Sequence, residues 1–349
     1  MSDFLALGNC TLDDVVTPDG RVSPRQLGGN AVYAAAGMRL WGVDVSLVSV
    51  VGADYPATWL EQLAEAGIDV TAVTRIEEPH LLRSRAFYFP DGSRTDRIEE
   101  ARAILPAHAG EIIDLESEYT DTGSPLHRRI WPIFCPDLSQ WETIAQHAAF
   151  AHFAPGPLPC SRANAAFLKH LRGGDVVISF DWPWWDWDLE GQVDAALLRN
   201  IDYLLPSIEE LALHADAAIS EKERGEHSGG HVFEAARRLL DYGPNGVGVK
   251  MGARGMRLLL RGQKGWNQIP THPAQVVDPT GAGDAFCGGF LVGLSRTGDP
   301  VRACLHGAVS ASFIIEEFGV LHTLQVDTAT ANARLHSLEH TLSRTKSSV

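Results

Sequence analysis

The chain has 349 residues, of which 45% are hydrophobic and 21% are charged, so its composition is that of a folded globular protein and not of a disordered chain. The formal net charge of −15 disfavours a nucleic-acid partner, because the phosphate backbone would be repelled. No window approaches about 18 uninterrupted apolar residues, so we expect no helix that crosses a membrane.

The five cysteines are odd in number and include no Cys-x-x-Cys pair. This pattern argues against a disulfide framework or a zinc knuckle, and it favours a reducing compartment. The first residues, MSDFLALGNC, lack the basic region and the long apolar run of a signal peptide. We therefore expect a cytoplasmic protein.

Strand-like and helix-like segments alternate along most of the chain, and the strands are mostly apolar, as expected when both faces of a sheet are covered. The predicted strands are Phe4–Leu7, Val45–Val51, Ala149–Ala154, Asp175–Phe180, Ile201–Leu205 and Val247–Met251. The predicted helices are Asn30–Trp41, Ala57–Ala66, Arg162–Arg172, His231–Tyr242, Asp284–Leu294 and Val301–Glu316. This alternation predicts an α/β fold with a three-layer α/β/α core, in which right-handed βαβ units form a mostly parallel sheet.

Two regions interrupt the alternation. Residues 14–26 are polar and turn-rich, and in 74–134 the stretch HLLRSRAFYFPDGSRTDRIE predicts strands joined by a turn, whereas LESEYTDTGSPLHRRIWPIFCP predicts a loop. We expect both regions to form one small β-rich lid with an insertion, beside a core of 1–13, 27–73 and 135–343. An insertion without fixed structure is the alternative. Residues 344–349 are expected to form a frayed tail.

The segment VVDPTGAGDAFCGGFL, residues 276–291, passes from a short apolar strand into a predicted helix. The first turn of a helix leaves backbone N–H groups unpaired, and Gly281 and Gly283 have no Cβ to keep an anion away from them. The helix dipole adds positive potential there. We therefore predict an anion hole, which would bind a phosphate or the charge that develops in phosphoryl transfer. It would be formed by Gly281, Ala282, Gly283 and the Asp284 N–H.

The Asp284 carboxylate lies at the same helix mouth. It could act only as a cap, since the helix dipole favours a negative charge there by about 0.3–1 kcal/mol. A bound phosphate would repel it, however, so the carboxylate is explained if it accepts a proton from an attacking hydroxyl. We predict that Asp284 is the general base of a phosphoryl transfer. Walker A, Rossmann and protein-kinase motifs are missing from the sequence.

The segment DPTGAGDAF strongly resembles the C-terminal signature of the ribokinase-like, or PfkB-type, carbohydrate kinases. LGNCTLDDVV resembles the first strand of that family, and LGGNAVYAAAGMRLWG is similar to its Gly-Gly segment. VSVVGADYPATWLEQLAEAGID follows in the usual order, and VKMGARGM resembles the strand and turn near the nucleotide. The resemblance covers most of the chain. It implies ATP and Mg²⁺ as cofactors, with K⁺ as an optional monovalent cation.

The resemblance also assigns residues to the two substrates. It implies that the acceptor is bound by Asp13, for which Asp14 is the competing neighbour, and by Gly28, Gly29 and Asn30. An ionised carboxylate can accept two hydrogen bonds from sugar hydroxyls. Four residues are implied to border the nucleotide, namely Lys250, Gly252, Gly255 and Asp278.

The magnesium-organising motif of the family departs from its usual form in this chain. The family commonly has Asn-x-x-Glu after a middle strand, whereas LLPSIEELA places Ser207 where the asparagine would be and Glu210 at the acidic position. The shorter hydroxyl could act through water. Magnesium normally bridges phosphates and keeps several waters, so the resemblance still implies that Glu210 helps to place it.

Other residues have structural as well as functional interpretations. Asp13 could bond nearby backbone, and Gly28 and Gly29 could form an ordinary turn. Arg94 and Arg97 in the lid could meet substrate or only keep the lid solvated. His336 and His340 have the spacing of metal ligands on a helix, but a solvated face is the simpler interpretation. The tryptophan-rich stretch FDWPWWDWD could border a ligand, because ligand loops of α/β proteins follow strand ends, or it could pack against the core or a second subunit.

We predict an ATP-dependent kinase that transfers the γ-phosphoryl group to a hydroxyl of a sugar or sugar-like alcohol, with a lid that excludes water. Two alternatives remain open: a nucleoside kinase of the same fold, and a non-catalytic sugar or nucleotide sensor. Expected partners are small molecules, and an exposed lid strand could also form a homodimer.

Overall fold

A computed structural model describes residues 2–90, 93–97, 100–101, 125–182, 193–212 and 228–347. Numbered along the chain, the strands are β1 (Phe4–Leu7), β2 (Thr11–Val16), β3 (Val22–Gly28), β4 (Val45–Val51), β5 (Ile68–Asp69), β6 (Val73–Arg75), β7 (Arg83–Tyr88), β8 (Arg94–Thr95), β9 (Phe150–Phe153), β10 (Val177–Phe180), β11 (Tyr203–Leu204), β12 (Gly246–Lys250), β13 (Met256–Leu260) and β14 (Asn267–Ile269). The helices are α1 (Asn30–Arg39), α2 (Ala57–Glu65), α3 (Pro125–Ile130), α4 (Glu142–Ala145), α5 (Leu158–Arg172), α6 (Ala195–Leu198), α7 (Ser228–Leu239), α8 (Ala282–Thr297), α9 (Pro300–Ile314) and α10 (Thr328–Ser347).

The main sheet has ten strands in the order β14-β13-β12-β11-β10-β9-β1-β4-β5, with β6 also paired to β4. Its strands are parallel from β12 to β5, whereas β13 runs antiparallel to both of its neighbours. Every residue of β4 is buried. A strand buried on both faces is what the continuous apolar runs of the sequence predict.

Two hydrophobic cores cover the two faces of this sheet. Along β1, Phe4 and Ala6 point into one core and Leu5 and Leu7 into the other, as the two-residue period of a strand requires. The first core also contains α1, α8 and α9, and the second contains residues of α5 and α7. The predicted three-layer α/β/α class with a mostly parallel sheet is therefore confirmed.

The predicted lid is a separate sheet of four strands in the order β3-β2-β7-β8. Its strands extend past the boundary expected at 14–26, because β2 begins at Thr11 and β3 ends at Gly28. Asp13 and Gly28 therefore lie in the lid sheet and not in the core.

Two expectations about local structure were wrong. The segment that ends at Phe134 was expected to be a loop, but Pro125–Ile130 is α-helical and Trp131–Phe134 is a 3-10 helix. Phe134 is fully buried against Val50 and Leu82, and this packing stabilises helical turns that the local sequence does not signal. At the C-terminus, α10 continues to Ser347, past the boundary at 344 that we expected for a frayed tail.

The cysteine pattern argued against a disulfide framework, but one pair of cysteines is bonded. Cys135 and Cys160 form a disulfide, with their Cα atoms 6.4 Å apart. Asn164, one turn after Cys160 in α5, accepts from the Leu138 N–H at 2.8 Å and donates to the Pro136 carbonyl at 2.8 Å. These bonds hold the segment after Cys135 against α5 and bring the two sulfurs together. Cys10, Cys287 and Cys304 are free and buried.

Within the described ranges, no helix combines the length and the apolar character needed to cross a membrane.

Candidate active site

The predicted site residues gather where parallel strands of the main sheet end and where α8 begins. Asp181 directly follows β10, Lys250 is the last residue of β12, and Asp284 lies in the first turn of α8. In open α/β sheets, this edge is where ligands bind. The small sheet contributes Asp13 from β2 and Arg94 from β8.

Glycine is required at the first position of the anion hole. Gly281 precedes α8 with φ 75°, in the left-handed region that side chains rarely adopt. A Cβ at this residue would lie 2.1 Å from Cγ of Tyr33, whose ring packs directly against it. The mouth of α8 is therefore held open by backbone conformation and by contact with α1.

Gly283 gives a lysine access to the same mouth. A Cβ at Gly283 would lie 3.0 Å from Nζ of Lys250. Nζ forms an ion pair with Oδ2 of Asp181 and lies 3.8 Å from Sγ of Cys287. Burial disfavours the ammonium, but Asp181 and the other acidic groups around it outweigh that effect and raise the pKa of Lys250. Lys250 therefore stays charged beside the helix mouth.

The electrostatics at Asp284 match those of a proton acceptor. Asp284 is half-buried, and its desolvation is the largest effect, which raises the pKa of the carboxyl to about 7. Lys250 and Arg94 lower this pKa, and Glu210 raises it. A carboxyl with a pKa near neutrality can both accept and release a proton under ordinary conditions. Enzymes tune catalytic carboxylates in this way.

Arg94, whose role the sequence left open, belongs to this cluster. Arg94 is exposed to solvent, and its pKa is raised because Tyr88, Glu210 and Asp284 favour the guanidinium more than desolvation by its neighbours opposes it. The lid thus brings a cation to the core residue Asp284. Arg97 forms an exposed ion pair with Glu100, and surface pairs of this kind contribute little.

The replacement at Ser207 has a local structural explanation. The Ser207 N–H donates to Oε2 of Glu210 at 2.6 Å, and the Glu210 N–H donates to Oγ of Ser207 at 3.1 Å. This reciprocal pair is a capping box, which satisfies two N–H groups at the start of a helix. Ser207 therefore caps the helical residues 208–212, while one oxygen of Glu210 stays available.

Asp13, and not Asp14, faces the core. The Asp13 carboxylate is buried, and Oδ1 accepts from the Thr11 hydroxyl at 2.5 Å. A Cβ at Gly28 would lie 1.9 Å from Oδ2 of Asp13, so the glycine makes room for this carboxylate. Oδ1 of Asp14 instead accepts from the Arg25 N–H at 2.8 Å. A β-bulge between Asp13 and Val15 accompanies these different environments.

Burial also perturbs Asp13. It raises the pKa of the Asp13 carboxyl to about 7, and the neighbouring carboxylates Asp278, Asp14 and Asp284 raise it further, whereas the Thr11 bond lowers it. Asp13 and Asp284 therefore belong to one electrostatic cluster that spans the lid and the core.

In the structure, Gly29 and Asn30 mainly contact and position neighbouring backbone groups. Gly29 has φ 112°, and a Cβ there would lie 2.3 Å from the Asn9 carbonyl oxygen. Oδ1 of Asn30 accepts from the Asn9 N–H at 2.8 Å, and Nδ2 donates to the Pro155 carbonyl at 2.7 Å. These contacts fix the ends of β1 and β9 under the site.

The lid touches the signature segment through two hydrogen bonds. Gln26 of β3 donates to Oδ2 of Asp278 at 3.1 Å, and the hydroxyls of Tyr88 and Thr280 lie 3.0 Å apart. Asp278 is buried and also accepts from the Thr280 N–H at 2.9 Å. Asp278 thus joins the lid to the helix mouth, in a different place from the turn after β12.

The turn after β12 contains the remaining glycines predicted to border the nucleotide. Gly252 has φ 57° with open space around it, whereas a Cβ at Gly255 would lie 2.1 Å from the Ile269 carbonyl oxygen. Gly255 is therefore required for packing against β14, and Gly252 faces free space.

Sequence reasoning missed two residues of the site. Asp181 directly follows a predicted strand, which is the same signal that singled out Asp13. Tyr33 lies on an apolar face of α1 and carries no such signal. Its hydroxyl is buried without a hydrogen-bond partner among the described residues, close enough to Asp13, Asp278 and Asp284 to interact electrostatically with each.

Other candidates contribute nothing to this cluster. His336 and His340 are exposed on α10, and within the described residues no three His, Cys, Asp or Glu side chains group as a metal site. Trp182 is buried in the second core. Trp184, Trp185 and Trp187 lie outside the described residues.

The fold and the site together define a ribokinase-like kinase. Residues 136–327, more than half of the 349, match the model of the pfkB family carbohydrate kinases. A fructokinase of Klebsiella pneumoniae is 39% identical over 306 residues, which cover 84% of this chain and 85% of that protein. The chain therefore belongs to the pfkB family of carbohydrate kinases.

Two further proteins are similar over most of the chain. The chain is 26% identical to a cytidine kinase of Thermococcus kodakarensis over 322 residues, which cover 91% of this chain and 98% of that protein. A putative ribokinase II from E. coli, solved in complex with ATP and Mg²⁺, is similar in fold with a TM-score of 0.65 and 18% identity. That match covers 97% of this chain and 100% of the E. coli chain.

Proposed function

We propose that this family member transfers the γ-phosphoryl group of ATP to a hydroxyl of a sugar or sugar-like alcohol, with Asp284 as the general base. The observation that carries the proposal is the Asp284 carboxylate, which lies half-buried directly at the glycine-lined mouth of α8 with its pKa raised to about 7.

Asp284 accepts the proton of the acceptor hydroxyl, the hydroxyl oxygen forms a bond to the γ-phosphorus, and the bond from that phosphorus to the bridging oxygen breaks. ADP leaves with that oxygen and its electron pair. The N–H groups of Gly281 to Asp284 stabilise negative charge on the transferred group.

The acceptor is proposed to lie between the lid and the core. Asp13 reaches this space from β2 beside Gly28, and the Tyr33 hydroxyl offers a buried donor and acceptor. The Gln26 and Tyr88 bonds to the signature segment keep the lid against the anion hole. A lid in this position would exclude water and so favour transfer to the acceptor over hydrolysis.

Glu210 fits a magnesium ion that the nucleotide carries. The acidic groups Asp181, Glu210 and Asp284 surround the cations Lys250 and Arg94, so added phosphates would need a further cation. Oε2 of Glu210 is used by Ser207, and Oε1 is the oxygen that would hold a metal-bound water. Held by these residues, Mg²⁺ would supply positive charge that offsets the charge of the phosphates.

A nucleoside is the second candidate acceptor, because one relative that covers 91% of the chain is named a cytidine kinase. The hydroxyls of Tyr33 and Tyr55 both interact electrostatically with Asp13, so they lie close to the proposed acceptor region. Thermal-shift measurements with a panel of sugars and nucleosides would separate the two classes, since ligand at about 100 times its Kd stabilises by about 2.7 kcal/mol.

The role of Asp284 is tested by the Asp284→Asn variant on an acceptor found by the panel. We expect kcat to fall by at least ~10²-fold with ATP binding nearly unchanged. The matched control is Asp299→Asn, because Asp299 caps α9 through the Val301 N–H at 2.8 Å and has no place in the site. If both variants keep the wild-type kcat, Asp284 is only a cap and the assignment fails.

A further inference from the structure

We propose that Lys250 is the fixed cation that stabilises negative charge on the transferred phosphoryl group, and that Asp181 is the positioning residue that holds its ammonium at Gly283. This inference rests on the proposed function and adds two roles to it: the resemblance placed Lys250 only beside the nucleotide, and Asp181 had no role.

Sheet order brings the pair together. β10 and β12 lie on either side of β11, and Asp181 and Lys250 end their strands at the same edge. Their side chains meet above β11, although 69 residues separate them in sequence. The contact therefore depends on parallel pairing and places a positive charge in front of α8.

The Lys250 ammonium has hydrogen-bond donors left for a ligand. A lysine Nζ carries three N–H donors. Asp181 takes one, and Cys287 offers only a weak acceptor at 3.8 Å. Nζ also lies 3.0 Å from the position that a Cβ at Gly283 would occupy, so the missing side chain leaves space beside the backbone of the anion hole.

The Lys250–Asp181 pair is buried, but its hydrogen bonds are incomplete. The side chain of Lys250 is 11% exposed and that of Asp181 is 3% exposed. Oδ1 of Asp181 has no hydrogen-bond partner among the described residues. Buried carboxylate oxygens are normally paired, so an unpaired one points to a group that arrives with a ligand.

The chemistry needs such a cation. In phosphoryl transfer, charge spreads over the equatorial oxygens of the transferred group while the attacking and leaving oxygens lie in line. Fixed donors act strongly in a site from which water is excluded, and removing one typically lowers kcat by 10²–10³-fold. A buried ammonium held by a carboxylate needs no rearrangement when the charge develops.

The competing explanation is a purely structural ion pair, which apolar residues of similar volume could replace at little cost to stability. The two explanations differ in the activity of Lys250→Ala. We expect kcat to fall by ~10²–10³-fold with a smaller change in KM for the acceptor. Primary alkylamines such as ethylamine should restore part of kcat, and the corresponding neutral alcohols should not. Asp181→Asn should lower kcat by ~10-fold or more, because Lys250 loses its anchor.

A pH profile gives a readout that a structural role would not move. The groups that act on Asp284 are Lys250, Glu210 and Arg94, with Asp181, Cys287 and Asp13 also in the cluster. Lys250 lowers the pKa of Asp284, so its removal should shift the acid limb of the kcat/KM profile to higher pH. The control Lys169→Ala removes a lysine from another ion pair and should leave both kcat and the acid limb unchanged.

Should Lys250→Ala fail to fold, the double variant Lys250→Met/Asp181→Leu removes both charges without leaving one unpaired. Wild-type kcat in this double variant, or in a folded Lys250→Ala, overturns the inference and leaves the proposed function intact. Loss of kcat with amine rescue and a shifted acid limb supports it. A wild-type protein that phosphorylates no sugar or nucleoside overturns both.

Discussion

Two lysine–aspartate pairs lie at opposite edges of the main sheet. Asp202 immediately precedes β11, at the edge where the parallel strands begin, and pairs with Lys169 of α5 at 2.7 Å. Asp181 follows β10, at the edge where the strands end, and pairs with Lys250. Both pairs join segments that are distant in sequence, so by residue type alone they are equivalent.

Their remaining contacts distinguish them. Nζ of Lys169 also donates to the Val176 carbonyl at 2.8 Å, and Oδ2 of Asp202 also accepts from the Ile178 N–H at 2.7 Å. Backbone groups thus complete the first pair. Lys250 instead faces Gly283, and Asp181 keeps an unpaired oxygen. A pair completed by the backbone ties elements together, whereas an incomplete buried pair is available to a ligand.

The largest expected effect is a difference in the free energy of unfolding between alanine substitutions of two glycines, one at each of these edges of the main sheet. Gly281→Ala should reduce the free energy of unfolding by about 2–5 kcal/mol, because a left-handed residue with a Cβ costs about 1–2 kcal/mol and overpacking against Tyr33 costs about 1–3 kcal/mol. Gly173→Ala, with φ 59° and open space around it, should cost only the first of these, about 1–2 kcal/mol. Urea unfolding measures both, and equal losses would contradict the close contact with Tyr33.

The second prediction concerns carboxylates at each edge. The Asp13 pKa is raised from 3.8 to about 7, so its contribution to stability is fully present below pH 3.8 and is lost as the pH rises to about 7. The Asp13→Asn variant has no carboxyl group to ionise at this position, so it does not lose this stability as the pH rises. Its stability relative to the wild type should therefore increase between about pH 4 and pH 7, by at most about 1.4 kcal/mol per pH unit, and then remain constant.

The matched substitution at the other edge is Asp202→Asn, which should lower stability because Lys169 loses its counter-ion. Thermal unfolding from pH 4 to pH 8 checks both variants. A constant difference between Asp13→Asn and the wild type over this range would show that Asp13 ionises as freely in the folded chain as in the unfolded one.

The smallest expected effect concerns the lid above the incomplete pair. Tyr88→Phe removes the hydroxyl that lies 3.0 Å from Oγ1 of Thr280, and a bond of this kind contributes about 0.5–1.5 kcal/mol. We expect the Kd of the acceptor to rise by a few-fold with little change in kcat. Thr280→Val and the double variant complete a cycle by calorimetry. Additive effects would mean that the two hydroxyls do not couple.

Much of the fold was predictable because its signals are local. Apolar runs predicted the strands, and the start of α1 at Asn30 agrees with the prediction. Helical structure at Pro125–Ile130 was missed because it depends on packing of the following segment against Val50 and Leu82. The Cys135–Cys160 disulfide was missed because an odd cysteine count excludes complete pairing but does not exclude a single pair.

Within the site, the anion hole could be predicted but its charged neighbours could not. Gly281, Gly283 and Asp284 lie within four consecutive residues, so backbone geometry and a helix start suffice to relate them. Lys250 and Arg94 were noticed in the sequence, but their approach to Asp284 depends on β12 and on the lid. Asp13 was singled out because it follows an apolar strand. The same criterion, applied to the end of β10, would have found Asp181.

By itself, the sequence determined the order of strands and helices, the glycine-lined helix mouth and the membership of a kinase family, since each of these depends on neighbouring residues. Only the tertiary structure decided that Asp13 and not Asp14 faces the core, and that Lys250 meets Asp181. The physical reason is that parallel pairing aligns the carboxyl ends of strands whatever the length of chain between them, and β10, β11 and β12 pair side by side.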